Sequence, residues 1–387
     1  MIEDVSFKGD IKPRGHVKVE LFDGLTGKKV DEREEDNFIS RFVVDYYLRY
    51  KMMDTLTEDR YTSTDYPTGE VTRIFNDPFE LITLTGATHG EEPLEEWLPR
   101  GNIVGEASTT SSYSGSDPLR GTINRAESFS QMGHLRLVFD WGTHAGNGTF
   151  QSIYFRPSSS YGLTTSADYF DVLDLDFDIF GCALRYGNKY YLLGVQNNFS
   201  ERVIRRYDLN FNLENTYVIE LNCEDFAIKG NQFLLLDYSQ RAVYEVPISQ
   251  PDSEPTKLFD TDSVYGIDYD PVNREYHLAD ADGFAIYDSN YQLKDKIQVD
   301  ANMFRSALFF LGYGWLSYQH FFDESGVRTH PMGTAMRGIE DNYVFCESNN
   351  RLKRVPKYGI GSRALLDNPV TKTTNVTMKI TYDFMYQ

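Results

Sequence analysis

Cysteine is scarce. Cys182, Cys223 and Cys346 are the only three in 387 residues, too few and too widely spaced for a disulfide framework. No C-x-x-C or Cys/His zinc spacing accompanies them, and each lies in an apolar, strand-like stretch where a buried, inert thiol is expected. The seven histidines (His16, His89, His134, His144, His277, His320 and His330) show no H-x-H or H-x-x-x-H spacing, which leaves zinc without a sequence basis. Basic residues are in deficit, 38 Lys and Arg against 58 Asp and Glu, for a net charge of −20. Binding a phosphate backbone needs clustered cations, so a nucleic-acid partner is disfavoured. No apolar run reaches the ~18 residues of a membrane span, and the N-terminus lacks the apolar core of a signal peptide. A soluble protein made in the cytoplasm, without membrane insertion, is the expectation. Neither a Gly-rich phosphate cradle ending in Lys-Ser/Thr nor a G-x-S-x-G elbow occurs. No cofactor and no metal are predicted.

What the chain has in plenty is aromatic side chains, 27 Tyr and 26 Phe. They pack well on pleated surfaces and tilt the composition towards β structure. The clearest local pattern lies at residues 134–155. Leu135, Leu137 and Phe139 recur at every second position, Gly142, Gly146, Asn147 and Gly148 supply a reversal, and residues 149–155 are β-rich again. A hairpin follows. Near the start, Val17, Val19 and Leu21 alternate as a strand, residues 23–27 turn the chain, and residues 28–33 pair back. Residues 1–15 are polar and read as an arm, a natural strap onto a neighbouring copy. Ile39, Phe42, Val43, Tyr46, Tyr47 and Tyr50 fall at spacings of three and four, predicting one amphipathic helix capped by Asn37 or Ser40. Residues 104–130, with a Gly/Ala/Ser/Thr/Tyr run at 105–117, read as a long flexible loop. At the C-terminus Thr377, Lys379 and Thr381 alternate with Met378, Ile380 and Tyr382, a strand with one wet and one dry face.

The middle of the chain repeats itself. Segments starting near Ile179, Asp225, Val264 and Ser306 lie about 40 residues apart, a period typical of propeller blades. Three copies each offer four short strands, the third of the form (V/I)-Y-(D/E). The copy after Ser306 is blurred, and residues 338–356 read as a further blade, so four or five blades are predicted. Asp174, Asp176 and Asp178 alternate with apolar residues and lack the Gly and distal Glu of a calcium loop, so they read as the solvated face of one strand. Asp280-Ala281-Asp282-Gly283 reads as a hairpin turn. Glu91, Glu92, Glu95 and Glu96 read as an exposed segment and not as a glycosidase carboxylate pair. Tyr238, Tyr265, Tyr313 and Trp315 are candidates to stack on sugar rings at the propeller rim. The competing expectation is that these rings fill the space between blades.

Three stretches carry a family resemblance. Residues 137–155, LVFDWGTHAGNGTFQSIYF, resemble the strand–W-G-T-x-x-x-N-G-T–strand segment of structural proteins in tailed phages of Gram-positive hosts. Residues 15–40, GHVKVELFDGLTGKKVDEREEDNFIS, are similar to that family's opening: strand, D-x-x-T-G, strand, x-x-x-N-x-(I/V). Residues 366–386, LDNPVTKTTNVTMKITYDFMY, are similar to its closing P-V-T-K-T-x-x-x-T-M-K-(I/V)-T-Y strand. The resemblance covers about the first 155 and the last 30 residues, and in that family the terminal strand joins the same sandwich as the N-terminal strands. The expected architecture is therefore all-β. Residues 1–157 and 357–387 form one β-sandwich with a single helix, and residues 165–356 form an inserted β-propeller. The function implied is that of a non-enzymatic virion protein of the tail, collar or connector region, with its own copies and other virion proteins as partners. An adsorption protein that binds a receptor or a host cell-surface saccharide through the propeller is the alternative. A hydrolase of host-surface polymers comes third.

Overall fold

The computed structural model describes residues 13–40, 43, 79–92, 98–131, 134–156, 170–197, 201–299, 307–317, 320–326, 328–331, 335–340, 343–348, 351–356 and 361–386. The chain divides into two units, Met1–Ser158 with Tyr358–Gln387, and Ser159–Lys357. The first unit holds β1 (Pro13–Asp23), β2 (Lys29–Ile39), β3 (Leu81–Thr85), β4 (Ile103–Ser108), β5 (Thr122–Ile123), β6 (Phe129–Gln131), β7 (His134–Trp141) and β8 (Gly148–Arg156). The second unit opens with β9 (Phe170–Asp174). Its first blade is β10 (Asp178–Tyr186), β11 (Lys189–Gln196), β12 (Glu201–Tyr207) and β13 (Leu213–Ile219). The second blade is β14 (Cys223–Lys229), β15 (Gln232–Asp237), β16 (Ala242–Pro247) and β17 (Thr256–Asp260), and the third β18 (Gly266–Asp270), β19 (Glu275–Ala279), β20 (Gly283–Tyr287) and β21 (Leu293–Gln298). The fourth is β22 (Leu308–Phe310), β23 (Gly314–Ser317), β24 (His320–Asp323) and β25 (Arg328–Pro331), and β26 (Ala335–Ile339), β27 (Tyr343–Ser348) and β28 (Arg351–Pro356) follow. The chain then returns to the first unit with β29 (Ser362–Lys372) and β30 (Val376–Tyr386). Among the described residues no helix is long and apolar enough to cross a membrane.

In place of the expected sandwich, the first unit is a single ten-stranded sheet in the order β4-β3-β8-β29-β2-β1-β30-β7-β5, with β6 also on β7. The sheet curls until its ends nearly meet. Glu106 of β4 forms a bridge to Arg120, just before β5, and the Gly121 amide donates to the Glu106 carbonyl at 2.8 Å. A near-closed sheet covers most of the backbone edge that two flat sheets would leave open. The alternation read in the sequence decides which side chains face inwards: Val17, Val19 and Leu21 from β1, Leu135, Leu137 and Phe139 from β7, and Met378, Ile380, Tyr382 and Phe384 from β30 form one core. Tyr382 stacks on Phe155 with centroids 3.9 Å apart. The start of the expected helix is strand instead: Asn37 and Ile39 belong to β2, which pairs with β1 and β29, and beyond it Val43 is buried with its amide donating to the Ser40 carbonyl at 3.1 Å. The other helix positions and residues 1–12 of the arm lie outside the described residues.

Residues 104–130 are not the loose loop that their composition suggests. Gly105, Gly121 and Gly146 press on the indole of the buried Trp141, and a Cβ at Gly146 would lie 2.8 Å from Trp141 Cδ1. Small residues are present because the chain must cross that ring. Local bonds hold the rest: the Tyr113 amide donates to Thr122 Oγ1 at 2.9 Å, the Asp117 amide donates to Tyr113 Oη at 2.9 Å, and the Arg120 guanidinium lies 4.9 Å from the Tyr113 ring centroid. A Cβ at Gly121 would run into the indole itself. Gly121→Ala is therefore expected to destabilise the protein by about 1–3 kcal/mol, seen as a lower Tm. An unchanged Tm would mean that Trp141 has room to shift.

The second unit is a five-bladed propeller, each blade an antiparallel four-stranded sheet. The strands read from the repeat fall on the observed ones, and the blurred copy and residues 338–356 are separate blades, the larger of the two expected counts. One feature differs: the outermost strand of the last blade is β9, which precedes the first blade in sequence. That closure splits the acidic run. β9 ends at Asp174, residues 175–177 bend, and β10 starts the next blade at Asp178, so one long strand cannot form. At the bend the Asp176 carboxylate pairs with Arg205, whose guanidinium lies 4.1 Å from the Phe177 ring centroid.

Aromatic rings fill the seams between blades. Tyr190 and Phe211 of the first blade meet Phe345 of the last, Phe259 meets Tyr276, Tyr287 and Tyr291, and Phe284 stacks on Trp315 at 4.6 Å. Two outer turns repeat the form D-x-N-(F/Y)-(N/Q)-L, at residues 208–213 and 288–293. In each, the aspartate carboxylate accepts the amides two and four residues on, at 2.8 and 2.9 Å. These bonds, to Asn212 and Gln292 above all, hold both carboxyls below the usual range. Phe211 and Tyr291 sit at φ 59° and 63°, a conformation costly for a large side chain, and their seam-filling rings offset the strain.

Candidate functional site

Two carboxyls with large departures from ordinary behaviour lie at the propeller axis. The first strands of the blades, β10, β14, β18, β22 and β26, form the inner ring. Their residues are mostly small or apolar, because facing strands approach closely there. Among the charged residues on these strands, the ones that bond to neighbouring blades at the hub are Asp225, third in β14, Asp268, third in β18, and Arg337, third in β26.

Asp225 is fully buried, and its carboxylate reaches three other blades. One oxygen accepts the Cys182 amide of β10 at 3.2 Å; the other accepts the Ile267 amide of β18 at 3.1 Å and the Leu308 amide of β22 at 3.2 Å. Asp268 accepts the Phe310 amide of β22 at 2.7 Å and the Tyr269 amide at 2.8 Å. Arg337 donates to the Ile179 carbonyl of the first blade at 3.0 Å and to Glu347 at 2.9 Å. Together these groups tie all five blades around one hub. Burial pushes Asp225 up to about 6 and Asp268 up to about 7. It also raises the Cys182 thiol well above its ordinary value, leaving an unreactive thiol.

A carboxyl that titrates near neutrality has the acidity of a general base. Proton transfer also needs a lone pair directed at a substrate, and both oxygens of Asp225 are committed to backbone amides. The arrangement holds strands together. Nearby, His277 is 1% exposed, stacks on Phe310 at 4.0 Å and accepts Trp315 Nε1–H at its Nδ1 at 3.0 Å. Burial lowers its pKa to about 4, so the ring is neutral at physiological pH. Among the described residues no group of three His, Cys, Asp or Glu has the geometry to hold a metal ion. Glu91 accepts the Leu365 amide of β29 at 3.0 Å. Glu95 and Glu96 lie outside the described residues.

The four aromatics singled out in the sequence do not form one platform. Strand alternation puts the β15–β16 turn and the links between blades at one end of the propeller, and the β22–β23 turn at the other. Tyr238, 49% exposed, and Tyr265, half-buried, therefore share an end, while Tyr313 lies at the opposite one, edge-on to Phe321. Trp315 is not a rim residue: it is 2% exposed and fills the seam between the third and fourth blades. The hub aspartates are not singled out in the sequence, because Asp225 marks only the start of a repeat there and Asp268 is one of several acids in a strand. The available signal was a charged residue at the same place in the first strand of more than one repeat, where no solvated face exists.

No family model matches the chain, and no curated protein matches it. Solved structures match it only distantly. A glutaminyl cyclase from Myxococcus xanthus is 10% identical with a TM-score of 0.37, covering 53% of this chain and 97% of that one. A gluconolactonase from Xanthomonas campestris is 14% identical with a TM-score of 0.33, covering 50% and 93%. A chain of a nidogen/laminin complex is 16% identical with a TM-score of 0.33, covering 44% and 72%. Likenesses this remote carry no argument about activity.

Proposed function

We propose that this chain is a non-enzymatic structural protein of a tailed-phage virion, built into the tail, collar or connector region, where it assembles with copies of itself and with other virion proteins. One observation carries the reading. The three stretches that resemble that family fold as neighbours: residues 15–40 form β1 and β2, residues 137–155 lie on β7 and β8, and residues 366–386 lie on β29 and β30. Their strands run side by side as β8-β29-β2-β1-β30-β7, apart from the propeller. The engagement of the hub carboxylates with backbone amides is consistent with a scaffold role for the propeller as well. The test is light scattering on the purified full chain and on a chain lacking residues 1–12. A closed assembly of many copies that falls apart without the arm supports the proposal, and a protein that stays monomeric at all concentrations counts against self-assembly.

A second reading rests on Tyr238 and Tyr265 sharing one end of the propeller, an arrangement suited to stacking on a saccharide. It expects Tyr238→Ala to abolish binding to host cell-wall polysaccharide with Tm unchanged, and equal binding by variant and parent would remove it.

A further inference from the structure

Lys372 is the last residue of β29, and it is 1% exposed. A buried ammonium ordinarily sits against a carboxylate. Lys372 meets none among the described residues, and burial pushes its pKa down to about 8. A fraction of the molecules therefore carries a neutral amine at physiological pH, and a desolvated, neutral lysine is a nucleophile. What Nζ faces is a carboxamide: it donates to Asn147 Oδ1 at 2.9 Å.

The two side chains are held together from several directions. The other atom of that carboxamide, Nδ2, donates to the Thr143 carbonyl at 2.9 Å, so the amide is fixed at both ends. Lys372 is the strand partner of Gly148, the residue after Asn147, and at the next pair Thr149 Oγ1 meets Thr371 Oγ1 at 2.8 Å. The turn behind Asn147 is closed by the Ala145 amide on the Gly142 carbonyl at 3.2 Å and the Gly146 amide on the Pro118 carbonyl at 2.7 Å. A hydrogen bond of this length to Oδ1 leaves the carboxamide carbon about 3.5–4 Å from Nζ. That is close to the ~3–3.5 Å of atoms held for attack.

We propose that Lys372 and Asn147 join in an isopeptide bond formed by the folded chain itself. The Nζ lone pair attacks Cγ of Asn147, the Cγ–Nδ2 bond breaks, and Nδ2 leaves as ammonia with a proton from Nζ. One C–N bond replaces another, so no oxidant, reductant or further reagent is consumed. The reaction has to happen only once per molecule, so a slow step in an enforced geometry is sufficient. The two residues are 225 positions apart in sequence, and they lie at β8 and β29, the strands that lead into and out of the propeller unit Ser159–Lys357. The bond therefore closes the base of the insertion covalently, and a chain cut once within the propeller stays one connected molecule.

The test is the intact mass of the full chain, measured under denaturing conditions. The parent is expected to be lighter than its sequence by one ammonia, and its tryptic digest is expected to contain a branched peptide joining the segments of Asn147 and Lys372. Lys372→Arg keeps a cation and removes the nucleophile, and Asn147→Ala removes the acyl carbon; both are expected at their full sequence mass, a readout that does not depend on how well either variant folds. A parent at its full sequence mass overturns the proposal. So does a loss of ammonia that persists in Lys372→Arg, which would be ring closure of Asn147 onto the Gly148 amide.

Discussion

Replacing Asp225 by alanine is expected to cost the propeller about 3–5 kcal/mol at pH 5. The side chain accepts amides from Cys182, Ile267 and Leu308, on three blades, at a site with no solvent access. Each buried amide left without an acceptor costs ~1–3 kcal/mol, and a water entering the vacated space recovers part of that. For a unit of this size 1 kcal/mol corresponds to ~2–4 °C, so a fall in Tm on the order of 10 °C follows. Asp225→Asn retains one acceptor oxygen and should fall in between. A loss under ~2 °C for the alanine variant would mean that the inner strands do not depend on this hub.

Asp268→Asn is expected to change sign with pH. Burial raises Asp268 from the usual carboxyl range to about 7, so the folded protein binds a proton there that the unfolded chain has released above pH ~4. Stability contributed at this site is present at low pH and is lost as pH rises through about 7. At pH 5 the parent carboxyl is protonated and the amide swap brings only the loss of a matched acceptor. At pH 8 the parent holds a buried charge beside Asp225, and the variant does not. The difference in stability between variant and parent should move in favour of the variant by on the order of 3 kcal/mol between pH 5 and pH 8. The prediction is made on the difference because the parent's own profile is flattened by His277. Burial depresses that ring to about 4, so stability there rises with pH between about 4 and 6.5, the lower part of that window. A difference that stays constant with pH would show that Asp268 remains ionised throughout.

Legibility in the sequence followed the physics of each element. Strands with one dry face were plain, because Leu135 to Phe139 and Met378 to Tyr382 obey a period of two that burial on one side enforces. The propeller was legible as a repeat, since each blade must satisfy the same seam. The bend at Asp176 was not, because a run of alternating acids looks the same whether one strand or two neighbours supply it. Only the pairing of β9 with β28 decides the matter. Residues 104–130 misled for a related reason: glycine and serine lower the apparent capacity for order, but at Gly105 and Gly121 the absent side chain makes room for Trp141. The curl of the first sheet depends on bridges such as Glu106 to Arg120 that no local pattern announces. The site proposals suffered most. Exposure separates Tyr238 from Trp315, and aromatic identity alone carries no information about it.

The late pairing partners of β9 and β1 have a consequence for synthesis. Asp174 waits for Arg351, and Val17 waits for Tyr382, more than 300 residues further along the chain. At ~5–20 residues per second that wait lasts roughly ten seconds or more, with unpaired strand edges held open meanwhile. A chain that stops before Arg351 can close neither ring, and one that stops between Pro356 and Val376 can close only the propeller. Fold closure therefore acts as a checkpoint in synthesis: the edge of β1 stays open until β30 has been made.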